Sequence, residues 1–151
     1  MRIETSSWGN LEITEEQIYH FNKGLPGFDE ETEFALISLQ EGTFSYMQSL
    51  KEPALAFLLT EPFDYYSDYE FELSPSDMEE LEIKEQVLVR CIITLKESIE
   101  ESTINLLAPV ILNPEKQLGK QVVLHNTSYQ TRHPLWIEEL QEKEPSGKEG
   151  E

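Results

Sequence analysis

The residues able to carry chemistry are few and scattered. The three histidines, His20, His125 and His133, lie far apart in the chain and at no ligand spacing, whereas a metal site needs several donors that converge. The one cysteine, Cys91, sits in the apolar run 87–95 with no base beside it. A free thiol in such a run behaves as a small hydrophobe, so Cys91 reads as a buried structural group. No Gly-x-Ser-x-Gly elbow is present to expose a serine nucleophile. The stretch Asn22-Lys-Gly-Leu-Pro-Gly-Phe28 is rich in glycine but lacks the Lys-Ser/Thr pair and the strand-to-helix setting of a phosphate loop. Carboxylate pairs such as Glu70 and Glu72 recur throughout the chain, so no one pair stands out for acid–base work. No catalytic residue, metal or cofactor is expected.

What is left is surface, and the surface is anionic. Thirty acidic residues face eleven Lys and Arg, a net charge of −19. Such a chain repels nucleic-acid phosphates and anionic lipid, and no cationic stripe invites them. Direct nucleic-acid binding and membrane binding are therefore not expected. The charge is uneven: residues 1–101 carry 23 acids against 6 bases, and residues 61–85 hold ten acids and only Lys84. Surplus acid can serve solubility alone. It also makes a docking face for a basic protein, because complementary fields speed encounter. The aromatics interleaved with these acids, from Phe63 to Glu72, suit interface anchors, although Tyr65 and Tyr66 could instead cover the end of the core.

The elements that position these residues read as short strands. The most apolar run is 103–113, where Pro109 argues against a helix. It reads as two strand halves, 104–108 and 110–112, bent at Pro109, with Asn113-Pro114 turning the chain. Asn105 in its midst suits a bulge or a cap on a neighbouring amide, or a polar contact at a partner surface. Strands are also expected at 1–4, 11–14 and 17–21, the last with Tyr19 and Phe21 on the core side. Gly24 and Gly27 should take positive φ in a tight loop from which Leu25 and Phe28 plug the core. Segments 33–39, 44–50 and 54–60, the first two joined by a turn at 40–42, form an antiparallel meander because their connections are too short for crossover helices.

In 69–73, Tyr69, Phe71 and Leu73 share one face of a strand and Glu70 and Glu72 the other. If that strand lies at an edge it could accept another by β-augmentation. Ser74-Pro75 opens a helix, 75–83, with Met78 and Leu81 on one stripe. A long strand at 86–95, a polar hairpin loop at 96–102, a turn at 115–120 and a strand at 121–126 follow. A short helix over 135–141 comes next, and a polar tail, 142–151, should be disordered. About nine short strands with one clear helix make an all-β barrel or sandwich.

Five motifs in order, Gly24-Leu-Pro-Gly-Phe28, Gln48-Ser49, Asn105 to Asn113, Gly119-Lys-Gln121 and Tyr129…Arg132-His-Pro-Leu135, resemble the bacterial flagellar assembly factor family, FliW. The likeness runs from about Ile3 to Leu135 and extends to the acidity. It implies one small antiparallel β-barrel-like domain, 1–141, with one or two short helices, ahead of the tail 142–151. It also implies a non-enzymatic, cytoplasmic binder, a monomer by itself, with two protein partners. One is flagellin before export. The other is the translational repressor CsrA, a small basic RNA-binding dimer, which the freed factor antagonises allosterically so that flagellin mRNA is translated. On this reading Tyr65, Tyr66, Asp68, Glu70 and Glu72 form much of the repressor-facing surface, with Asn105 and Leu106 beside them. Gly24, Pro26, Gly27 and Pro109 are architectural. The competing reading is an acidic adaptor or nucleic-acid mimic that blocks a different basic protein.

Overall fold

The computed structural model describes residues 1–6, 8–39, 44–125 and 127–135. The expected turn at 40–42, the helix at 135–141 beyond its first residue, and the tail at 142–151 lie outside them. Among the described residues there are eleven strands: β1 (Arg2–Thr5), β2 (Gly9–Glu12), β3 (Ile18–His20), β4 (Glu33–Ser38), β5 (Ser45–Ser49), β6 (Ala56–Thr60), β7 (Leu88–Thr94), β8 (Thr103–Ile104), β9 (Val110–Asn113), β10 (Leu118–Gln121) and β11 (His133–Pro134). The one α-helix among the described residues is α1 (Pro75–Glu80). Strands β3 to β7 form a continuous antiparallel meander, β3 pairs with β10 in parallel through Leu118 and His20, β10 pairs with β9, and β9 returns to β7. That last pairing closes a seven-stranded barrel, so these strands leave no free edge among themselves.

An excursion that contains Pro109 precedes the closing strand. Between the Ile93↔Ile104 pair and the Arg90↔Val110 pair, β7 advances three residues while its partner advances six. Three residues are looped out, and Asn105 holds the loop: its Oδ1 accepts from the Leu107 and Ala108 amides at 3.1 and 3.0 Å. The bend and the cap agree with expectation. The first strand half is shorter than expected, because β8 ends at Ile104 where the excursion starts, and the second runs one residue further than expected, to Asn113.

Phe21, Phe34, Leu25, Met47, Leu59, Val110 and Leu112 fill one core cluster. Tyr69, Leu81, Cys91, Ile93, Ile104, Leu106, Ile111, Val122, Leu124 and Leu135 fill a second. Each fully buried large side chain contributes about 1.5–3 kcal/mol. Cys91 is fully buried, as expected, and burial pushes its thiol pKa up to about 12. The β1–β2 hairpin covers the outside of the barrel with Ile3 and Ile13, against Ile18 and Ala35. Strand β3 is therefore covered at Ile18 as well as on the Tyr19 and Phe21 side, while His20 stays exposed.

Motif residues prove architectural. Gly24 and Gly27 have φ of 66° and 85°. Buried Gln48 reaches the carbonyls of Ser49, Pro53 and Leu55 through Nε2 at 3.1–3.2 Å, and Ser49 Oγ accepts from the Lys51 and Glu52 amides. Asn113 Nδ2 donates to the Leu81 carbonyl at 2.7 Å, tying the end of α1 to the barrel. Ser74 Oγ caps α1 by accepting from the Asp77 amide.

Several expectations are corrected. Phe28 does not plug the core: it is 39% exposed and rests edge-on against Phe57, while Leu25 alone is buried. Met78 is exposed, since α1 is only six residues long and Glu82 reverses it at φ 52°. The expected turn at 115–120 and strand at 121–126 are displaced. The chain turns at 114–117, β10 runs over Leu118–Gln121, and the buried Gly119 lies under the Phe21 ring. Residues 69–73 alternate as expected, with Tyr69 buried and Glu70 and Glu72 exposed, but they belong to no sheet.

Candidate functional site

The segment 61–74 leaves β6 and runs to α1 without a ladder, so something else must hold its backbone. Pro62 starts a 3-10 turn, Pro62–Asp64, that returns the chain toward the barrel, with Pro62 buried. Aromatic rings then fasten it. Tyr69 donates through Oη to the Leu106 carbonyl at 2.7 Å and packs edge-on against Tyr129, ring centres 4.7 Å apart. Tyr129 Oη accepts from the Glu70 amide at 3.2 Å. Tyr66 Oη donates to the Pro134 carbonyl, and its ring meets His133 at 5.7 Å. Residues 66–70 are thereby pinned to 129–134, chain more than fifty residues away. Burial raises the pKa of the Tyr66 and Tyr69 hydroxyls, which keeps both as donors. His133 Nε2 accepts from the Gln130 amide at 2.8 Å, and burial lowers its pKa. Both keep the ring neutral at pH 7.

The charges on this face are unequal in kind. Asp68, Glu70 and Glu72 are exposed, and among the described residues none of the three makes an ion pair. Lys120 on β10 is fully engaged, with Nζ 2.6 Å from Asp77 and 2.8 Å from Glu80. Its hydrogen bond holds the Asp77 carboxyl below the usual range, and the two carboxylates raise Lys120. The face therefore offers net negative charge from carboxylates fixed on a rigid segment.

Beside the acids runs a groove of about 860 Å³ between residues 70–75 and 120–125. Phe71 and Leu73 from one side and Val122 and Leu124 from the other are buried or half-buried there. Glu70, Glu72, Val123 and His125 stand exposed along it.

The residues expected to bind a partner fall into three groups. Asp68, Glu70 and Glu72 share the exposed face. Tyr65 and Tyr66 are half-buried and packed on the core cluster, Tyr65 with its ring 6.4 Å from Phe44, so they cover the barrel end and hold the acids in place. Asn105 is half-buried and its Oδ1 caps the Pro109 excursion, and Leu106 is completely buried. Sequence reasoning missed Val123, His125 and Tyr129 as parts of this face. The Gly119-Lys-Gln121 and Tyr129…Leu135 motifs marked no more than their neighbourhood, because their contacts cross more than forty residues of chain.

Among the described residues no group of His, Cys, Asp and Glu could hold a metal ion, and no helix is long and apolar enough to cross a membrane. The family model for the FliW protein matches residues 2–135. The chain belongs to the FliW family. Flagellar assembly factor FliW of Geobacillus sp. (strain WCH70) is 43% identical over 142 residues, covering 93% of this chain and 99% of that one. Flagellar assembly factor FliW of Bacillus subtilis (strain 168) is 44% identical over 138 residues, covering 89% and 96%. A crystal structure of the flagellar assembly factor FliW superposes with a TM-score of 0.86 at 41% identity, covering 91% of this chain and 99% of that one. The barrel described above is thus the FliW fold, and the relatives carry the name of a flagellar assembly factor.

Proposed function

We infer that this chain is a cytoplasmic, non-enzymatic flagellar assembly factor that binds flagellin. When free of flagellin, it binds and allosterically antagonises the basic translational repressor CsrA, so that flagellin mRNA is translated. The observation that carries the reading is the set of three exposed carboxylates, Asp68, Glu70 and Glu72, without ion-pair partners among the described residues and held by the Tyr66, Tyr69 and Tyr129 contacts. Membership of the FliW family supports it. Fixed anions of this kind attract a cationic dimer at long range. Once docked, they lower the favourable potential that RNA phosphates find on that dimer. Neither effect needs the acids to occupy the RNA site itself.

The test is the double reversal Glu70→Lys with Glu72→Lys. The association rate with CsrA should fall by about tenfold or more and lose most of its salt dependence. Thermal stability should change by no more than about 0.5 kcal/mol, since exposed charges matter little to folding. Unchanged association would remove these residues from the interface. A titration with flagellin and CsrA both present decides whether the two partners exclude each other or form a ternary species.

A further inference from the structure

The groove beside the acids has walls of main chain with unused hydrogen-bonding groups. In residues 121–125 the Val122 amide donates to Pro109 O and the Leu124 amide to Leu107 O, both at 2.9 Å. Both bonds continue the β9–β10 register, in which Gln121 opposes Val110. Backbone groups alternate in direction along an extended chain, so Val123 and His125 turn their amides and carbonyls toward the opposite edge. Among the described residues, those amides donate to nothing. Across the groove the Phe71, Glu72 and Leu73 amides likewise donate to no described group. Residues 70–73 alternate in burial, yet among the described residues no strand pairs with them.

We propose that this groove receives an extended, basic segment of a partner protein, paired as an added strand with the open edge at Val123–His125 and flanked by residues 70–73. Main-chain pairing supplies affinity in such additions, and alternate side chains supply specificity. The floor of Phe71, Leu73, Val122 and Leu124 takes the apolar side chains of the guest. Glu70 and Glu72 meet its cations, and Lys120 offers no counter-charge because Asp77 and Glu80 hold it. The groove volume of about 860 Å³ lies within the roughly 300–1,000 Å³ of binding clefts. Residues 70–74 match about five residues of guest, at about 3.3 Å each. Residues 136–151 of this chain are a poor occupant, since they carry six acids and two bases. The proposal does not depend on which protein is the partner, so it and the CsrA reading can fail separately.

The probe is an acetylated, amidated, fluorescein-labelled octapeptide of alternating valine and lysine, titrated into the full-length chain by anisotropy. Amide hydrogen exchange is followed in parallel. The expected result is saturable binding that slows exchange at Phe71, Leu73, Val123 and His125. Affinity should drop about tenfold when the peptide amides on one edge are N-methylated, and more when glutamate replaces lysine. Val123→Pro should weaken it by a similar factor. That variant removes only an amide at an edge, where proline is tolerated, and the N-methyl peptide repeats the test on the native chain. Equal affinity for the N-methylated peptide would reduce the effect to charge and overturn the proposal. So would no binding at millimolar peptide, or equal binding of the glutamate peptide. Slow exchange of the Val123 and His125 amides before peptide is added would assign the groove to the chain's own residues. Slow exchange that grows with protein concentration would assign it to a second copy. Either result would also overturn the proposal.

Discussion

Tyr69 and Leu106 are joined by a buried hydrogen bond, Oη to carbonyl at 2.7 Å, across 37 residues of chain. It links the acidic segment, which no sheet holds, to the excursion at Pro109 through which the barrel closes. Tyr69 is 3% exposed, and burial together with the neighbouring Cys91 thiol keeps its hydroxyl protonated. Two features that look separate in the chain, an acid-rich loop and a proline kink, are therefore one mechanical unit.

Tyr69→Phe tests this unit. The Leu106 carbonyl then loses its partner in a dry site, which costs about 1–3 kcal/mol. Urea unfolding should show that loss with an unchanged slope. Exchange of the Glu70 amide should quicken more than that of the β5 amides, because the change loosens the segment more than the barrel. An unaltered Glu70 amide would mean that Tyr129 alone positions the acids.

The glycine loop gives a graded pair. At Gly27, φ is 85° but nothing lies within 4 Å of an added methyl, so Gly27→Ala meets only backbone strain, about 1 kcal/mol. At Gly24 the added Cβ also runs into the Phe28 and Asp29 carbonyls. Those are backbone atoms that cannot swing away, and Gly24→Ala should cost at least about 2 kcal/mol more than its neighbour. Melting temperatures of the two variants should fall in that order.

Lys120→Met removes the cation that α1 closes upon. With Asp77 and Glu80 left facing each other, stability at pH 7 should fall by about 1–2 kcal/mol. The folded pKa of Asp77 is depressed, so its contribution is complete above the ordinary value of 3.8 and is lost as pH falls through the folded value. That of Lys120 is raised, so its contribution is complete below 10.5 and is lost as pH rises through the folded value. The gap between wild type and Lys120→Met, read from urea unfolding, should be widest between these limits and narrow at both ends.

His133 acts in the same sense as Asp77, but at mildly acid pH. Its folded pKa lies below the ordinary 6.5, so the unfolded chain takes up the proton first. Stability should rise with pH through the window below 6.5 and level off above it. Protonation also removes the acceptor that Nε2 offers to Gln130. An imidazole titration followed by NMR should show a midpoint below 6.5, and His133→Gln should flatten this part of the profile.

The order of residues along the chain already determined what depends on neighbours within a few positions. Alternation placed Tyr69, Phe71 and Leu73 inward and Glu70 and Glu72 outward. Ser74-Pro75 opened a helix, Gly24 and Gly27 demanded positive φ, short connections made a meander of 33–60, and an apolar run hid Cys91. The family motifs pointed to FliW. Only the tertiary structure decided the rest. It closed the barrel by pairing β7 with β9 across a three-residue excursion, left 69–73 beside the sheet instead of in it, turned Phe28 outward, and committed Tyr66, Asn105 and Leu106 to structural contacts. Propensity and periodicity report on the next turn or the next residue, whereas these outcomes rest on contacts such as Tyr66 with Pro134, 68 residues apart, whose partners no local pattern can name.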